Sequence, residues 1–357
     1  MIVKATASLW HYPLPGVTGG SGITAVDVIV VDLETADGLT GTGFSYVLGG
    51  SGAIVAAMAH DLVDRFVAGQ AVAAPAALWR RMAASLNRLG RGPGYLAIAA
   101  IDVAAWDLHA KRMDVPLGVA LGGEPRSVPV YGSGGFGPVQ APEDAVKQAL
   151  HYAESGCKAV KLRLSGEPAD IERIDAVESA LPADVRIMAD LNEKCDLLQA
   201  TWIANECSAF NLLWLEEPLP SGDLAGYAAL AAASPVPLAT GEHHQGLVEL
   251  APFFQQECCT VVQPDLAMTG GITEALRIAQ IADHYGLVVA PHFLPALFIH
   301  LAAAAPSVKW MEHFPLLEPL FDHPVDMDEN GEITASGEPG HGLKWADGAR
   351  GEFLVTE

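Results

Sequence analysis

The sequence predicts an α/β protein, a (β/α) barrel with an α+β unit ahead of it. Three observations carry that expectation. Hydrophobic alternation with a period of two dominates the first 50 residues, and helical periodicity follows to about residue 120. Beyond that point short β-rich runs alternate with helical stretches, eight runs in all and mostly one every 20 to 30 residues. A doubly wound sheet shares the alternation, but eight regular units favour closure into a barrel.

Taken in order, residues 25–35 (AVDVIVVDLET) and 39–46 read as the two strands of a hairpin around Asp37-Gly38. From residue 53 to 120 the pattern is helical, with Ile98, Ile101 and Ala105 on one apolar face and Asp102 on or beside it. The eight barrel runs are 128–133, 159–164, 185–190, 211–216, 236–242, 259–265, 287–292 and 308–312, separated by helical stretches such as 142–155 and 272–285. From Phe321 the tail returns to hairpin chemistry around Asn330-Gly331. Asp326, Asp328, Asn330, Gly331 and Ile333 mimic an EF-hand loop there, but Gly337 stands where the loop needs Glu, and no amphipathic helices flank it. A type I′ hairpin is the expectation instead. The chain is therefore expected to divide into an α+β cap (1–125), a barrel carrying the site (126–320) and a C-terminal segment (321–357).

Composition works by exclusion. With 20 Lys and Arg against 43 Asp and Glu, the formal charge is −23, which argues against nucleic acid or an anionic membrane as partner. Half of the residues are hydrophobic, with 36 Gly and 24 Pro spread along the chain, so the protein is globular rather than disordered. No stretch reaches the roughly 18 apolar residues of a membrane span, and the first residues break up before a signal-type core forms. Five cysteines without a C-x-x-C pair read as reduced thiols of a cytoplasmic protein.

The chemistry lies at the strand ends. The third, fourth and fifth barrel runs end in Asp190, Glu216 and Glu242, at equal intervals of 26 residues. One βα unit per interval puts the three carboxylates on neighbouring strands at the C-terminal face, where barrel active sites sit. Three converging carboxylates repel one another unless a cation joins them, and oxygen-only ligation with room for substrate suits Mg2+. The next two runs end in Asp265 and His292, and a His oriented by a carboxylate is a competent general acid or base. On the second run Lys161 and Arg163 are two apart, so both point to one side of the strand.

Taken together, Lys161-x-Arg163, Asp190-x-Asn192, Trp214-Leu-Glu216-Glu217-Pro218, Gly241-Glu242, Pro264-Asp265 with Gly270-Gly271, and His292 resemble the mandelate racemase group of the enolase superfamily. The resemblance spans nearly the whole chain and includes the Ala99 to Asp107 stretch and the segment from Pro116 to Gly123. It implies a modified (β/α)7β barrel whose cap combines the N-terminal part and the C-terminal tail. It implies Mg2+ on Asp190, Glu216 and Glu242, and Asp265–His292 as a dyad that abstracts the proton α to a carboxylate. It also implies Glu312 as an acid that bonds the substrate carboxylate or enolate, Ser133 and Asn192 as substrate-binding residues, and a homo-oligomer. The pairing of a His or Lys base with Mg2+ is a known feature of enolase-superfamily sites.

One residue departs from the pattern. The family's second strand usually reads Lys-x-Lys, with the second lysine as a base, whereas Arg163 stands here. An arginine, with a pKa above about 12, is a poor base and a good fork for charged oxygens. A racemase using two opposed bases has lost one, while an elimination can run with His292 alone. The expectation is dehydration of an acid sugar, an aldonate or aldarate, to a 2-keto-3-deoxy acid. In it Mg2+ and Lys161 bind the carboxylate, Glu312 stabilises the enediolate and Arg163 neutralises charge. Three alternatives stay open at this point: a racemase or epimerase of a hydroxy acid, Lys161 as the base with Arg163 lowering its pKa, and a metal-binding scaffold without turnover. Specificity is expected from the glycine-rich loops 13–24 and 47–52, with His11, His243 and His244 as further near-site residues.

Overall fold

The computed structural model describes residues 1–16, 22–71, 74–322 and 325–356. Strands β1 (Ile2–Pro13), β2 (Ala25–Thr35) and β3 (Thr40–Leu48) form an antiparallel sheet in that order. Gly38 makes the expected turn between β2 and β3, with the positive φ of 82° that glycine adopts without strain. Alternation along β2 sends Ile29, Val31 and Leu33 to one side, where they share a core with helices α1 (Gly52–Phe66), α2 (Pro75–Ser85) and α3 (Gly92–Met113). The other face of the sheet (Val26, Val28, Val30) joins the large core of the barrel and tail.

The barrel strands are β4 (Val128–Gly132), β5 (Ala159–Arg163), β6 (Arg186–Asp190), β7 (Leu212–Glu216), β8 (Leu238–Thr240), β9 (Val261–Val262), β10 (Val288–Val289) and β11 (Met311–His313). Each lies within one of the eight runs marked by the sequence, except that β11 ends one residue beyond its run. They pair in parallel in the order β10-β9-β8-β7-β6-β5-β4-β11, and a parallel bridge between Val289 and Val308 closes the circle. A helix follows each of β4 to β10, whereas among the described residues the next element after β11 is a 3-10 turn, Glu318–Leu320. That is the (β/α)7β arrangement.

Strand parity divides the barrel. Val160, Leu162, Leu164 and their counterparts face the helices in the large outer core. Tyr131, Ala159, Met188, Trp214, Ala239, Val261 and Ala290 point inward and fill the floor.

The hairpin expected near Asn330-Gly331 is not there. Only Gly331 of that pair has positive φ, so the turn is not type I′. The strand that follows it, β12 (Glu332–Ile333), pairs antiparallel with β4 instead. Asp328 Oδ1 accepts from Asn330 N and Glu332 N at 2.8 and 3.0 Å, so this carboxylate serves the turn. The tail then crosses to the three-stranded sheet: Trp345 stacks on Phe321 (4.9 Å) and packs on Trp10 (4.6 Å), and Val355 N donates to Leu9 O.

Candidate active site

Most candidate side chains sit two or four positions beyond a floor residue on the same face of its strand, so the alternation that fills the floor also lines the site; Glu242, three positions beyond Ala239 and next to Gly241, departs from that parity. Met188 precedes Asp190, Trp214 precedes Glu216, Ala159 precedes Lys161 and Arg163, Ala290 precedes His292, and Val261 precedes Gln263 and Asp265. The backbone at the strand tops is specialised. Asn192, Glu193 and Glu217 all have positive φ (42°, 60° and 39°), a conformation seldom adopted outside glycine and concentrated at functional sites. Gly241 has φ 144°, and a Cβ there would lie 2.7 Å from Gln263 N, which accounts for glycine before Glu242.

Lys161 is at the centre of the buried charges, 3% exposed. Its Nζ lies 2.5 Å from Glu216 Oε1, 2.9 Å from Glu312 Oε1 and 3.9 Å from Asp190 Oδ2. Burial disfavours the ammonium, but Glu216 and Glu312 outweigh it and raise the lysine well above its ordinary value. Lys161 is thus a cation clamped by carboxylates. Burial also pushes Glu216 up to about 7; Lys161 opposes this, while Asp190, Glu242 and Glu312 add repulsion. Burial works the same way on Glu312, yet Lys161, His292 and a hydrogen bond from Ser133 bring it down to about 2. Arg163 NH2 is 3.6 Å from Asp190 Oδ2.

The dyad is formed. His292 Nδ1 is 2.8 Å from Asp265 Oδ2, and its Nε2 is 3.5 Å from Glu242 Oε2. Burial lowers the imidazolium's stability, but Glu242, Asp265 and Glu312 together lift His292 to about 10. Taken by itself this carboxylate field favours a proton donor.

Above these groups opens a cavity of about 380 Å³ lined by Arg163, Asn192, Glu193, Lys194, Glu242, His243 and His292, with Ile23, Leu48, Phe314 and Leu316 along its apolar side. Lys161, Asp190, Glu216, Asp265 and Glu312 are buried rather than lining it, and Ser133 is bonded to Glu312. Ile23 and Leu48 belong to the two loops expected to set specificity, although residues 17–21 of the first lie outside the described residues. His243 faces the cavity. His244 is buried against Phe253, its centroid 4.7 Å away. His11 is paired with Asp27 at 2.8 Å and does not line the cavity.

Two sets of acids compete as a cation site. Among the described residues, Glu217, Glu242 and His243 bring ligand atoms within 4.8 Å of one another. Both Glu217 oxygens already face His243 Nδ1 at 2.9 Å, however, so that pair satisfies itself. The set expected from the sequence fits Mg2+ better by its chemistry, since all its donors are carboxylate oxygens. It also contains Asp190 Oδ2, a buried oxygen with no hydrogen bond. Glu216 bears on the fit from the other side: Oε1 meets Lys161, and Oε2 accepts from Trp214 Nε1 (3.0 Å) and Gln263 Nε2 (2.6 Å).

Sequence reasoning missed Gln263, the Glu217–His243 pair and Tyr46. Gln263 was within reach, being two residues before Asp265 and on the same face. The other two depend on contacts between distant parts of the chain.

Comparison with known proteins agrees with this fold. Residues 3–122 match the mandelate racemase/muconate lactonizing enzyme N-terminal domain, and residues 144–349 match the enolase C-terminal domain-like family. The chain is 35% identical over 334 residues to an L-talarate/galactarate dehydratase of Salmonella typhimurium, covering 92% of this chain and 83% of that protein. It is 31% identical to a 3,6-anhydro-alpha-L-galactonate cycloisomerase of Streptomyces coelicolor, covering 96% of each. The crystal structure of L-talarate dehydratase from Polaromonas sp. JS666, complexed with Mg and L-glucarate, superposes with a TM-score of 0.93 at 33% identity, covering 99% of this chain and 97% of that one. The chain belongs to the mandelate racemase/muconate lactonizing enzyme family of the enolase superfamily.

Proposed function

We propose that this protein is a Mg2+-dependent acid-sugar dehydratase, releasing water from an aldonate or aldarate to leave a 2-keto-3-deoxy acid. The observation that carries this over a racemase is that Arg163 and His292 line one cavity, and only an imidazole can both take and return a proton near neutral pH. Two of the three relatives are named as dehydratases, of talarate and galactarate or of talarate, and one of these is complexed with Mg and L-glucarate.

Asp190, Glu216 and Glu242 would hold the metal. When bound, Mg2+ supplies positive charge that acidifies the carbon next to the substrate carboxylate and offsets the negative field that holds His292 protonated. His292 Nε2 takes the proton from C2, with Asp265 keeping the ring oriented. The same imidazole then returns a proton to the departing C3 hydroxyl, which leaves as water, and the resulting enol becomes the 2-keto acid. Lys161 binds the substrate carboxylate as a fixed ammonium, Glu312 bonds the developing enediolate, and Arg163 balances charge at the mouth. Ser133 acts through its bond to Glu312, and Asn192 reaches the substrate from the cavity wall.

The substrate is a small hydroxy-carboxylate. We take the chain to divide at residues 125 and 320, to form a homo-oligomer as its family commonly does, and to be cytoplasmic. Five buried, unpaired thiols support that location, and no helix among the described residues is long and apolar enough to cross a membrane.

The test is 2-keto acid release from a panel of aldonates and aldarates, with and without EDTA. Release that EDTA stops is expected. If no acid sugar yields a keto acid while C2 protons still exchange in D2O, the protein is a racemase or epimerase. If neither occurs, it is a scaffold.

A further inference from the structure

Tyr46 stands near the end of β3, on the cap sheet, yet its hydroxyl reaches the barrel and donates to Asp265 Oδ2. That oxygen also receives His292 Nδ1 at 2.8 Å. The other carboxylate oxygen, Oδ1, accepts from Met268 N at 2.9 Å. Three donors from three parts of the chain therefore hold one carboxylate. The tyrosine ring packs 4.8 Å from Phe293, which in turn lies 5.0 Å from the imidazole of His292. Phe293 and Leu294 have positive φ (30° and 52°), and Phe293 N donates to Glu312 Oε2, so the backbone that presents the histidine is pinned as well.

We propose that Tyr46 is a positioning residue for the proton-transferring histidine: its hydroxyl holds Asp265 in the one rotamer that aims His292 Nε2 at the substrate. The proposal rests on the reading of His292 as the base. Its physical basis is that a carboxylate turns readily about its terminal torsion, where the wells are broad, and each added donor narrows that freedom. A base misdirected by even a fraction of an ångström loses rate, because proton transfer needs a near-attack geometry. The contact spans 219 residues of sequence, so a side chain of the cap completes a proton-transfer pair of the barrel. Leu48, two residues further on the same strand, lines the cavity. Placement of the cap over the mouth and orientation of the base are thus a single arrangement.

The experiment is Tyr46→Phe, which keeps the ring against Phe293 and removes only the hydroxyl. It is compared with wild type and His292→Asn in the full-length Mg2+-loaded protein. Two quantities are read: kcat and KM on whichever acid sugar of the panel turns over, and the downfield proton resonance of the Asp265–His292 hydrogen bond without substrate, assigned by its loss in His292→Asn. The expected result is a kcat lowered about tenfold, with KM and Mg2+ affinity within about twofold and the resonance displaced. An unchanged kcat with an unmoved resonance overturns the proposal whatever happens to Tm, since a contact that only fastens the cap would lower Tm alone. Turnover surviving in His292→Asn overturns the reading of His292 as the base, a failure distinct from the first.

Discussion

His292 and Arg163 share a cavity but not a capability, and most of the proposed chemistry follows from that difference. In the proposed reaction, replacing His292 with Asn removes the acid and base while leaving Asp190, Glu216 and Glu242 in place on other strands. Turnover and C2 proton exchange should fall by roughly 10²–10⁴-fold or more, with Mg2+ affinity by calorimetry unchanged; loss of metal binding would show that His292 has been given the wrong role. Arg163→Lys should do the reverse and restore a base. In D2O the C2 epimer expected to be silent in the wild type should then take up deuterium, as followed by proton NMR. If neither epimer exchanges faster, the arginine is not what limits this protein to one face. Lys161 makes a less suitable base than the sequence alone allowed. Its ammonium is locked between Glu216 and Glu312, and opening that clamp would leave two buried carboxylates unpaired.

At the scale of elements, the cap is joined to the barrel by buried polar contacts as well as by apolar area. Asp102 on α3 accepts from Thr273 N (2.8 Å) and Thr273 Oγ1 (2.7 Å) at the start of the helix Ile272–His284, satisfying a donor that the helix itself cannot. Asp107, one turn further along, accepts from Thr42 N of β3, from Lys111 Nζ and from His341 N of the tail. The two acids of the Ala99 to Asp107 stretch that carries the family resemblance are therefore a fastening. Helix α3 also lies nearly flush on β3. A Cβ on Gly43 would fall 2.1 Å from Ala104 N and 2.4 Å from Ala100 O, both backbone atoms. Gly43→Ala should destabilise the fold by roughly 2–4 kcal/mol, seen as a lower Tm and urea midpoint. A variant as stable as wild type would mean that α3 can lift off the sheet without cost.

For the whole molecule, two buried histidines tie together segments far apart in sequence. His300 Nδ1 accepts from Gly118 N, and its Nε2 donates to the carbonyl of His341. His341 Nε2 donates to Thr42 O on the cap sheet. Burial lowers His300 to about 4, with the carbonyl of His341 opposing, and lowers His341 too. A histidine whose folded value is depressed contributes stability above its unfolded value near 6.5, and that contribution is lost as pH falls through about 4. His300 alone should account for roughly 3 kcal/mol of acid destabilisation across that window. Urea unfolding at a series of pH values should show a shallower fall for His300→Gln than for wild type. Parallel curves would mean that some other group governs the acid limb.

Much of this was legible in the chain before it folded. The eight strands, the side chains at their ends and the equal spacing of Asp190, Glu216 and Glu242 follow from local rules: a period of two in strands, a period near 3.6 in helices, and turn chemistry between them. The same rules put Lys161 and Arg163 on the inner face. They misjudged the Asn330-Gly331 turn, because the partner of β12 is β4, some two hundred residues earlier, and no local signal can name it. Nor could they say which charges pair. That Lys161 neutralises Glu216 and Glu312, that Glu217 turns to His243, and that a tyrosine of the cap steadies the dyad are consequences of closure. Only when the barrel shuts and the cap seats do these groups leave water together, and in that low-dielectric space a buried charge gains most from the partner within reach. The sequence by itself determined the carboxylates, the histidine and the two cations at the strand ends and on which strand each is carried; the tertiary structure added Tyr46 and Gln263 and decided which of these groups are already spent on one another, because only closure brings distant segments into contact.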